Sequence, residues 1–189
     1  MTRPDPAAAA RHIKVLGVGN LLWADEGFGV RCVEALGRDW EFPPEVELLD
    51  GGTLGLALLP YLQEAASAIL VDAIRADGSP GALVRVEGSE VGPAVRERLS
   101  VHQVGVADLL DGARWLDLYP ESVVLLGLVP ESLELGVTLS PSVESQIPGL
   151  IARIIEEARS LGWPLTRKVH HEAVTSALCR AAAARPDGL

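Results

Sequence analysis

Several side chains that can bind a metal ion or move a proton lie where predicted strands end or helices begin. In chain order they are Glu26, Asp50, Asp72 and His102. In a parallel sheet the carboxyl ends of neighbouring strands converge at one edge, so we expect these groups to share one cleft. Two carboxylates and one imidazole with open coordination positions suit a divalent metal ion. The alternative is that the acids only end strands and cap helices, and that His102 caps its own helix.

A glycine-rich stretch from residue 15 to residue 30 organises the rest of the chain. It starts within a buried strand over 13–18 and continues with helical periodicity from Phe28. The loop between them carries the adjacent carboxylates Asp25 and Glu26. Such a strand–loop–helix unit presents chemistry at the carboxyl edge of an α/β sheet, although the helix dipole alone also favours acids at this place.

Strands and helices alternate along the remaining chain. Strands are expected at 46–49, 66–71, 83–86 and 122–129, and helices at 54–62, 103–115 and from 141 onward. The polar residues that interrupt 83–86 predict an antiparallel edge strand. The alternation predicts a three-layer α/β/α sandwich with a mostly parallel sheet.

Three local features of the sequence predict an irregular stretch, a helix cap and a break within a helix. Residues 88–101 are expected to be irregular, and Ser140 is expected to cap the last helix. Pro148-Gly149 falls inside that helix and predicts a kink or two helices.

Composition narrows the class of protein. The chain has 189 residues with a formal net charge of −10, which argues against nucleic acid as a partner. No apolar run reaches the length of a membrane span, so no membrane partner is expected. The two cysteines, Cys32 and Cys179, form no disulfide framework, and a reducing cytoplasm is the simplest setting.

Three other kinds of site match poorly. Gly17 and Gly19 fit the start of a dinucleotide fingerprint, but Leu22 occupies the place of its third glycine. Thr53 has the spacing of a nucleophile elbow, but a glycine turn with Thr53 as a helix cap explains it better. His170-His171-Glu172 lacks the second histidine of a metalloprotease motif.

Several blocks, in order over residues 13–160, resemble the hydrogenase maturation endopeptidases, which trim the C-terminal extension from the large subunit of [NiFe] hydrogenases. The blocks are Gly17-Val18-Gly19-Asn20-x-Leu22-x-x-Asp25-Glu26-Gly27-x-Gly29, Asp50-Gly51-Gly52-Thr53-x-Gly55, Val71-Asp72-Ala73, His102-Gln103-x-Gly105-x-x-Asp108-Leu109-Leu110, Gly127-x-x-Pro130-Glu131-Ser132 and Leu139-Ser140-Pro141.

The resemblance implies a five-stranded mixed sheet with one antiparallel strand, and a metal-binding trio of Glu26, Asp72 and His102. It further implies that the enzyme recognises nickel already present in its substrate, the large-subunit precursor. Oxygen ligands with one imidazole can meet Ni(II) without retaining it as thiolates would. Nickel is therefore expected to come with the precursor.

The sequence leaves the hydrolytic step open. Either the metal polarises the scissile carbonyl or activates water, or a carboxylate such as Asp50 or Asp25 acts as general base. A non-catalytic nickel-binding chaperone or checkpoint protein and, with less support, a nucleotide-dependent oxidoreductase are the alternative functions.

The expected organisation is a loose leader at 1–11, one α/β domain at 12–163 and a C-terminal extension at 164–189. The extension is expected to be either helical over 172–184 or disordered. A monomer is expected.

Overall fold

The computed structural model describes residues 12–96 and 104–168. Its strands are β1 (Ile13–Val18), β2 (Trp40–Glu41), β3 (Val46–Gly52), β4 (Ser67–Ala73), β5 (Leu83–Glu87), β6 (Ser122–Leu128) and β7 (Thr166–Arg167). Its α-helices are α1 (Phe28–Asp39), α2 (Leu59–Leu62), α3 (Val91–Arg96), α4 (Val104–Trp115), α5 (Pro141–Glu144) and α6 (Ile147–Ser160). Short 3₁₀ turns lie at Ala24–Gly27, Gly55–Leu58 and Gly88–Glu90.

Five strands form the central sheet in the order β3-β1-β4-β6-β5. All neighbours pair in parallel except β5, which runs antiparallel to β6 at the edge. This confirms the mixed, mostly parallel sheet and the antiparallel edge strand. Residues of β1 and β4 are buried throughout because helices cover both faces of the sheet, which explains their nearly continuous apolar sequences.

Helices cover the sheet from two sides. Helices α1, α5 and α6 pack on one face through residues such as Phe28, Leu36 and Ile154. The turn Gly55–Leu58 with α2, α3 and α4 packs on the other face, where Leu110 is buried. The predicted three-layer sandwich is therefore present.

The strand order creates a switch point. From β1 the chain passes through α1 to β3 on one side, whereas β4 leads toward β6 on the other side. A crevice at the carboxyl edge between two strands whose connections diverge is the usual ligand site of an open α/β sheet. Here that crevice lies between β1 and β4.

Three predicted elements differ from the structure. The helix expected at 54–62 is a 3₁₀ turn followed by the short α2, because Gly55 has a positive φ of 52° and Pro60 allows helix only from its own first turn onward. The stretch expected to be irregular contains α3, whose Val91 and Val95 are buried on the sheet. The last predicted helix is in fact two helices, α5 and α6, which was one of the two alternatives expected. The break lies before Pro148, however, and the proline is in the first turn of α6.

The chain continues past Trp163 in contact with the domain. Leu165 is buried in the core, and β7 pairs antiparallel with β2. Lys168 Nζ donates to the carbonyl of Gly37 at 2.6 Å. The residues expected to form a leader (1–11) and a tail helix (172–184) lie outside the described residues.

Among the described helices, none combines the length and the apolar character needed to cross a bilayer.

Candidate functional site

Two of the predicted metal ligands meet at the switch point between β1 and β4. Glu26 and Asp72 are 1% and 2% exposed, and both line one cleft of about 200 Å³, part of it open to solvent. We call this the β1–β4 cleft; its lining residues are Val18, Gly19, Glu26, Gly52, Thr53, Asp72 and Val106. The expectation that these two carboxylates share a cleft is met by the geometry.

The glycine loop after β1 turns Glu26 back toward the sheet. Glu26 lies in the turn Ala24–Gly27, and its N–H donates to the carbonyl of Trp23 at 2.9 Å. Gly19 has a φ of 132°, and a Cβ on it would lie 1.8 Å from the carbonyl oxygen of Glu26. Only glycine fits there, so Gly19 serves the close approach of two backbone segments.

Asp72 lies near the carboxyl end of β4 and is covered on all sides. Burial raises the pKa of its carboxyl well above the usual range; the backbone N–H of Ala73 opposes that shift, and the charge of Glu26 adds to it. Its Oδ1 has no hydrogen-bond partner within residues 12–96 and 104–168. A buried carboxyl with an unmet acceptor beside a second carboxyl requires a proton or a cation.

The donor set of the cleft therefore suits a divalent cation that brings ligands of its own. Within the described ranges no three His, Cys, Asp or Glu side chains come together as a metal-binding group. Two carboxylate oxygens alone leave most positions of a metal ion open.

His102, the third predicted ligand, lies outside the described residues. The helix that follows it is nevertheless close to the site, since Val106 of α4 lines the β1–β4 cleft. Gly105 contacts the loop after β3 backbone to backbone: a Cβ on Gly55 would lie 2.9 Å from its Cα. These two glycines let the start of α4 approach the carboxyl edge.

Asp50 is exposed near the carboxyl end of β3, opposite Gly17 of β1. Its Oδ1 accepts the N–H of Gly52 at 3.0 Å, and Gly52 itself lines the cleft. Asp50 is not one of the described lining residues. It lies beside the cleft with its carboxylate open to water.

Asp25 differs from the other acids because both oxygens of its carboxylate accept hydrogen bonds from the protein. It is 0% exposed and accepts hydrogen bonds from the backbone N–H groups of Glu131, Ser132 and Ser140. The hydroxyl of Ser140 donates to it as well, at 2.9 Å. Ser140 occupies the expected N-cap position, that of α5, but its side chain makes no capping bond because its hydroxyl donates to Asp25 instead.

The structure places two other residues that the sequence singled out, whereas His170-His171-Glu172 lies outside the described residues. Thr53 lines the β1–β4 cleft and does not cap a helix, which sequence reasoning missed. Cys32 is in the core, where burial raises the pKa of its thiol and makes it a poor nucleophile.

Comparisons with known proteins agree on one family. A family model described as HycI, hydrogenase maturation protease, matches residues 30–157. The hydrogenase expression/formation protein HupD of Rhodobacter capsulatus is 42% identical over 165 residues, which are 86% of this chain and 78% of the relative. The hydrogenase 2 maturation protease of Escherichia coli is 39% identical over 152 residues, 80% of this chain and 93% of the relative.

The fold agrees with the same group. The hydrogenase maturating endopeptidase HybD from Escherichia coli has a TM-score of 0.80 and 37% identity to this chain. The match covers 83% of this chain and 98% of that protein.

Proposed function

This chain belongs to the hydrogenase maturation proteases and is a maturation endopeptidase, and we propose that it removes the C-terminal extension of a [NiFe]-hydrogenase large-subunit precursor after nickel insertion. The nickel ion is part of the substrate in this proposal. The enzyme recognises it, so that cleavage waits for correct metal loading.

One observation carries the proposal. Glu26 and Asp72 are buried together in the β1–β4 cleft, and Asp72 Oδ1 has no partner among the described residues. A pair of like-charged buried groups is costly for the free protein and is relieved when a cation enters. The cleft is thus suited to a metal ion delivered by the precursor.

His102 is proposed as the third protein ligand. It precedes α4 closely in sequence, and Val106 of that helix lines the cleft. Three protein ligands leave positions for groups of the precursor. Carboxylates with one imidazole hold Ni(II) less tightly than thiolates would, so the enzyme can release the processed product with its nickel.

Asp50 is proposed as the general base. Its carboxylate is exposed beside the cleft, whereas Asp25 is buried with both oxygens occupied by hydrogen-bond donors. A base must be able to accept a proton from a water molecule next to the scissile bond, which requires an accessible oxygen. Between the two predicted carboxylates the contacts favour Asp50.

A cleavage assay tests the proposal. The purified protein is mixed with a large-subunit precursor, either nickel-loaded or nickel-free, and the precursor is followed by intact mass. We expect loss of a C-terminal peptide only from the loaded precursor, and no loss with His102→Ala. The control is Asp77→Asn, since Asp77 is exposed in the turn before β5.

The other outcomes are equally informative. Equal cleavage of loaded and nickel-free precursor would refute recognition through nickel. Binding of the precursor without a change in mass would support a nickel-binding checkpoint protein instead.

The isolated protein offers a second test. Equilibrium dialysis should show that nickel bound by the free enzyme exchanges readily. Very tight, retained nickel would contradict the role of a protein that recognises the metal of its substrate.

A further inference from the structure

Asp25 is the buried centre of a network that joins separate parts of the sequence. Its Oδ2 accepts the N–H of Glu131 at 2.9 Å and that of Ser132 at 2.8 Å. Its Oδ1 accepts the N–H of Ser140 at 2.7 Å, and the Ser140 hydroxyl donates to Oδ2 at 2.9 Å. Two sequence blocks to which the sequence analysis gave no function thus meet at one carboxylate. They are Pro130-Glu131-Ser132 and Leu139-Ser140-Pro141.

Backbone contacts reinforce the same junction. We call residues 131–140, which connect β6 to α5, the 131–140 segment. Within it, Gly136 accepts from Ala24 N–H at 2.7 Å and donates to the carbonyl of Leu22 at 2.8 Å. The N–H of Asp25 donates to the carbonyl of Ser132 at 3.2 Å. The loop after β1 and the 131–140 segment are therefore anchored to each other at several points.

This junction adjoins the β1–β4 cleft through Glu26, which lines the cleft. Glu26 follows Asp25 in the same 3₁₀ turn, so a shift of Asp25 would move Glu26. Strand β4, which carries Asp72, lies between β1 and β6 in the sheet. A segment that leaves β6 and contacts the loop after β1 must therefore cross from one side of β4 to the other near its carboxyl end.

The turn that carries Asp25 is also held in an unusual conformation. Ala24 has a φ of 40°, which residues other than glycine seldom adopt. Strained backbone of this kind persists where surrounding contacts fix it, often near a functional site. Here the contacts are those to the 131–140 segment.

We propose that Asp25 is a positioning residue, which fixes Glu26 and the 131–140 segment relative to each other and so preforms the cleft that receives the precursor. This inference rests on the proposed function. Asp25 acts through Glu26 and does not exchange protons with the substrate, because its two oxygens already accept four hydrogen bonds.

Two substitutions separate this role from that of a general base. In Asp25→Asn the amide group must face at least one N–H or O–H donor, so one contact becomes repulsive. Ser140→Ala removes the hydroxyl's bonds to Asp25 and to the Ser142 hydroxyl and leaves the carboxylate intact. A positioning role predicts that both lower kcat, by about 10–100-fold for Asp25→Asn and by a smaller factor for Ser140→Ala. Ser140→Thr keeps the hydroxyl and should restore kcat.

The pH profile is the discriminating measurement. If Asp25 positions Glu26, the residual activity of Asp25→Asn keeps the wild-type pH profile. If Asp25 is the base, that variant loses one limb of the profile and Ser140→Ala has wild-type kcat; this result would overturn the proposal. Wild-type kcat in both variants, measured well below their melting temperatures, would overturn it too.

A titration with nickel alone makes the test independent of cleavage. We expect Asp25→Asn to bind Ni(II) about 10-fold more weakly than wild type, and Asp77→Asn to bind it equally well. Equal affinity in Asp25→Asn would refute the positioning role. If the wild type bound nickel but failed to cleave the loaded precursor, the proposed function would be wrong, while the titration would still decide the role of Asp25.

Discussion

The loop after β1 and the end of β4 each bury a carboxylate, but the two carboxylates differ in how many hydrogen-bond donors surround them. Asp25 receives four hydrogen bonds at 2.7–2.9 Å, all from groups of the 131–140 segment. Asp72 keeps Oδ1 without a partner among the described residues and lies near the charge of Glu26, and burial raises its pKa. The first carboxylate stabilises the fold, and the second is the one that we propose meets the metal ion of the precursor.

The difference follows from the cost of burying charge. A carboxylate that accepts several N–H bonds is stable when buried and adds to the stability of the fold. One with an oxygen left without a donor destabilises the free protein, and such a cost is tolerated mainly where function requires it. Substitutions in the two regions should therefore change stability in opposite directions.

The largest effect is expected for Asp25→Ala. Removing the carboxylate leaves the partly buried backbone donors of Glu131, Ser132 and Ser140 without their acceptor. We expect the free energy of unfolding to fall by about 4 kcal/mol, measured by urea denaturation. A loss below about 1 kcal/mol would show that water replaces the carboxylate easily and that the junction is not buried.

Gly19→Ala tests how closely the loop after β1 packs. The new Cβ would lie 1.8 Å from the carbonyl oxygen of Glu26, and φ is 132° at this position. We expect a loss of about 3 kcal/mol in the free energy of unfolding. The matched control is Gly136→Ala, since a Cβ there meets nothing within 4 Å. Its effect should stay within about 0.5 kcal/mol, and equal losses in both variants would contradict the close approach.

Asp72→Asn should stabilise the metal-free protein, in contrast to Asp25→Ala. It removes a buried charge next to Glu26, and we expect a gain of about 1 kcal/mol at neutral pH in buffer with a chelator. Thermal denaturation measures it. Destabilisation by this variant would show that Asp72 is as well satisfied as Asp25.

The same gain should depend on pH. The folded-state pKa of Asp72 lies above its ordinary value of 3.8, so the folded protein binds that proton more tightly than the unfolded chain does. The stability that this proton gives is fully present below pH 3.8 and is lost as the pH rises through the folded-state pKa. The difference between Asp72→Asn and wild type should therefore be smallest in acid and grow with pH. A constant difference would contradict the raised pKa.

The smallest change in stability is expected for Asp50→Asn. Asp50 is exposed, and an amide oxygen can still accept the N–H of Gly52. The free energy of unfolding should stay within about 0.5 kcal/mol of wild type. Turnover of the nickel-loaded precursor should fall by about 100-fold or more if Asp50 is the base. Unchanged turnover would remove Asp50 from the catalytic mechanism.

Elements with strong local signals were predicted well. The apolar run over 13–18 predicted the observed limits of β1. The interrupted apolar pattern of 83–86 predicted the antiparallel edge strand β5. Helix α3 was missed because its two buried valines, Val91 and Val95, are too few to show a helical period. The break between α5 and α6 was displaced because Pro148 is accommodated in the first turn of α6.

The sequence could predict which acids lie at the site because the alternation of strands and helices already implies a parallel sheet. Acids at the ends of parallel strands must come to one edge, which is why the sequence alone brought Glu26 and Asp72 together. The position of Thr53 in the lining of the β1–β4 cleft was missed, because a glycine turn has the same sequence whether it lines a cleft or not.

The sequence by itself determined the α/β layering, the antiparallel edge and the acids at the carboxyl edge, because each of these depends on periodicity and on neighbours in the chain. Only the tertiary structure decided which carboxylate is satisfied. The donors that surround Asp25 come from residues 106 to 115 positions away, and the burial that raises the pKa of Asp72 comes from the packing of the whole sheet. Contacts over such distances leave no local pattern in the sequence, so Asp25 and Asp72 become distinguishable only in the folded protein.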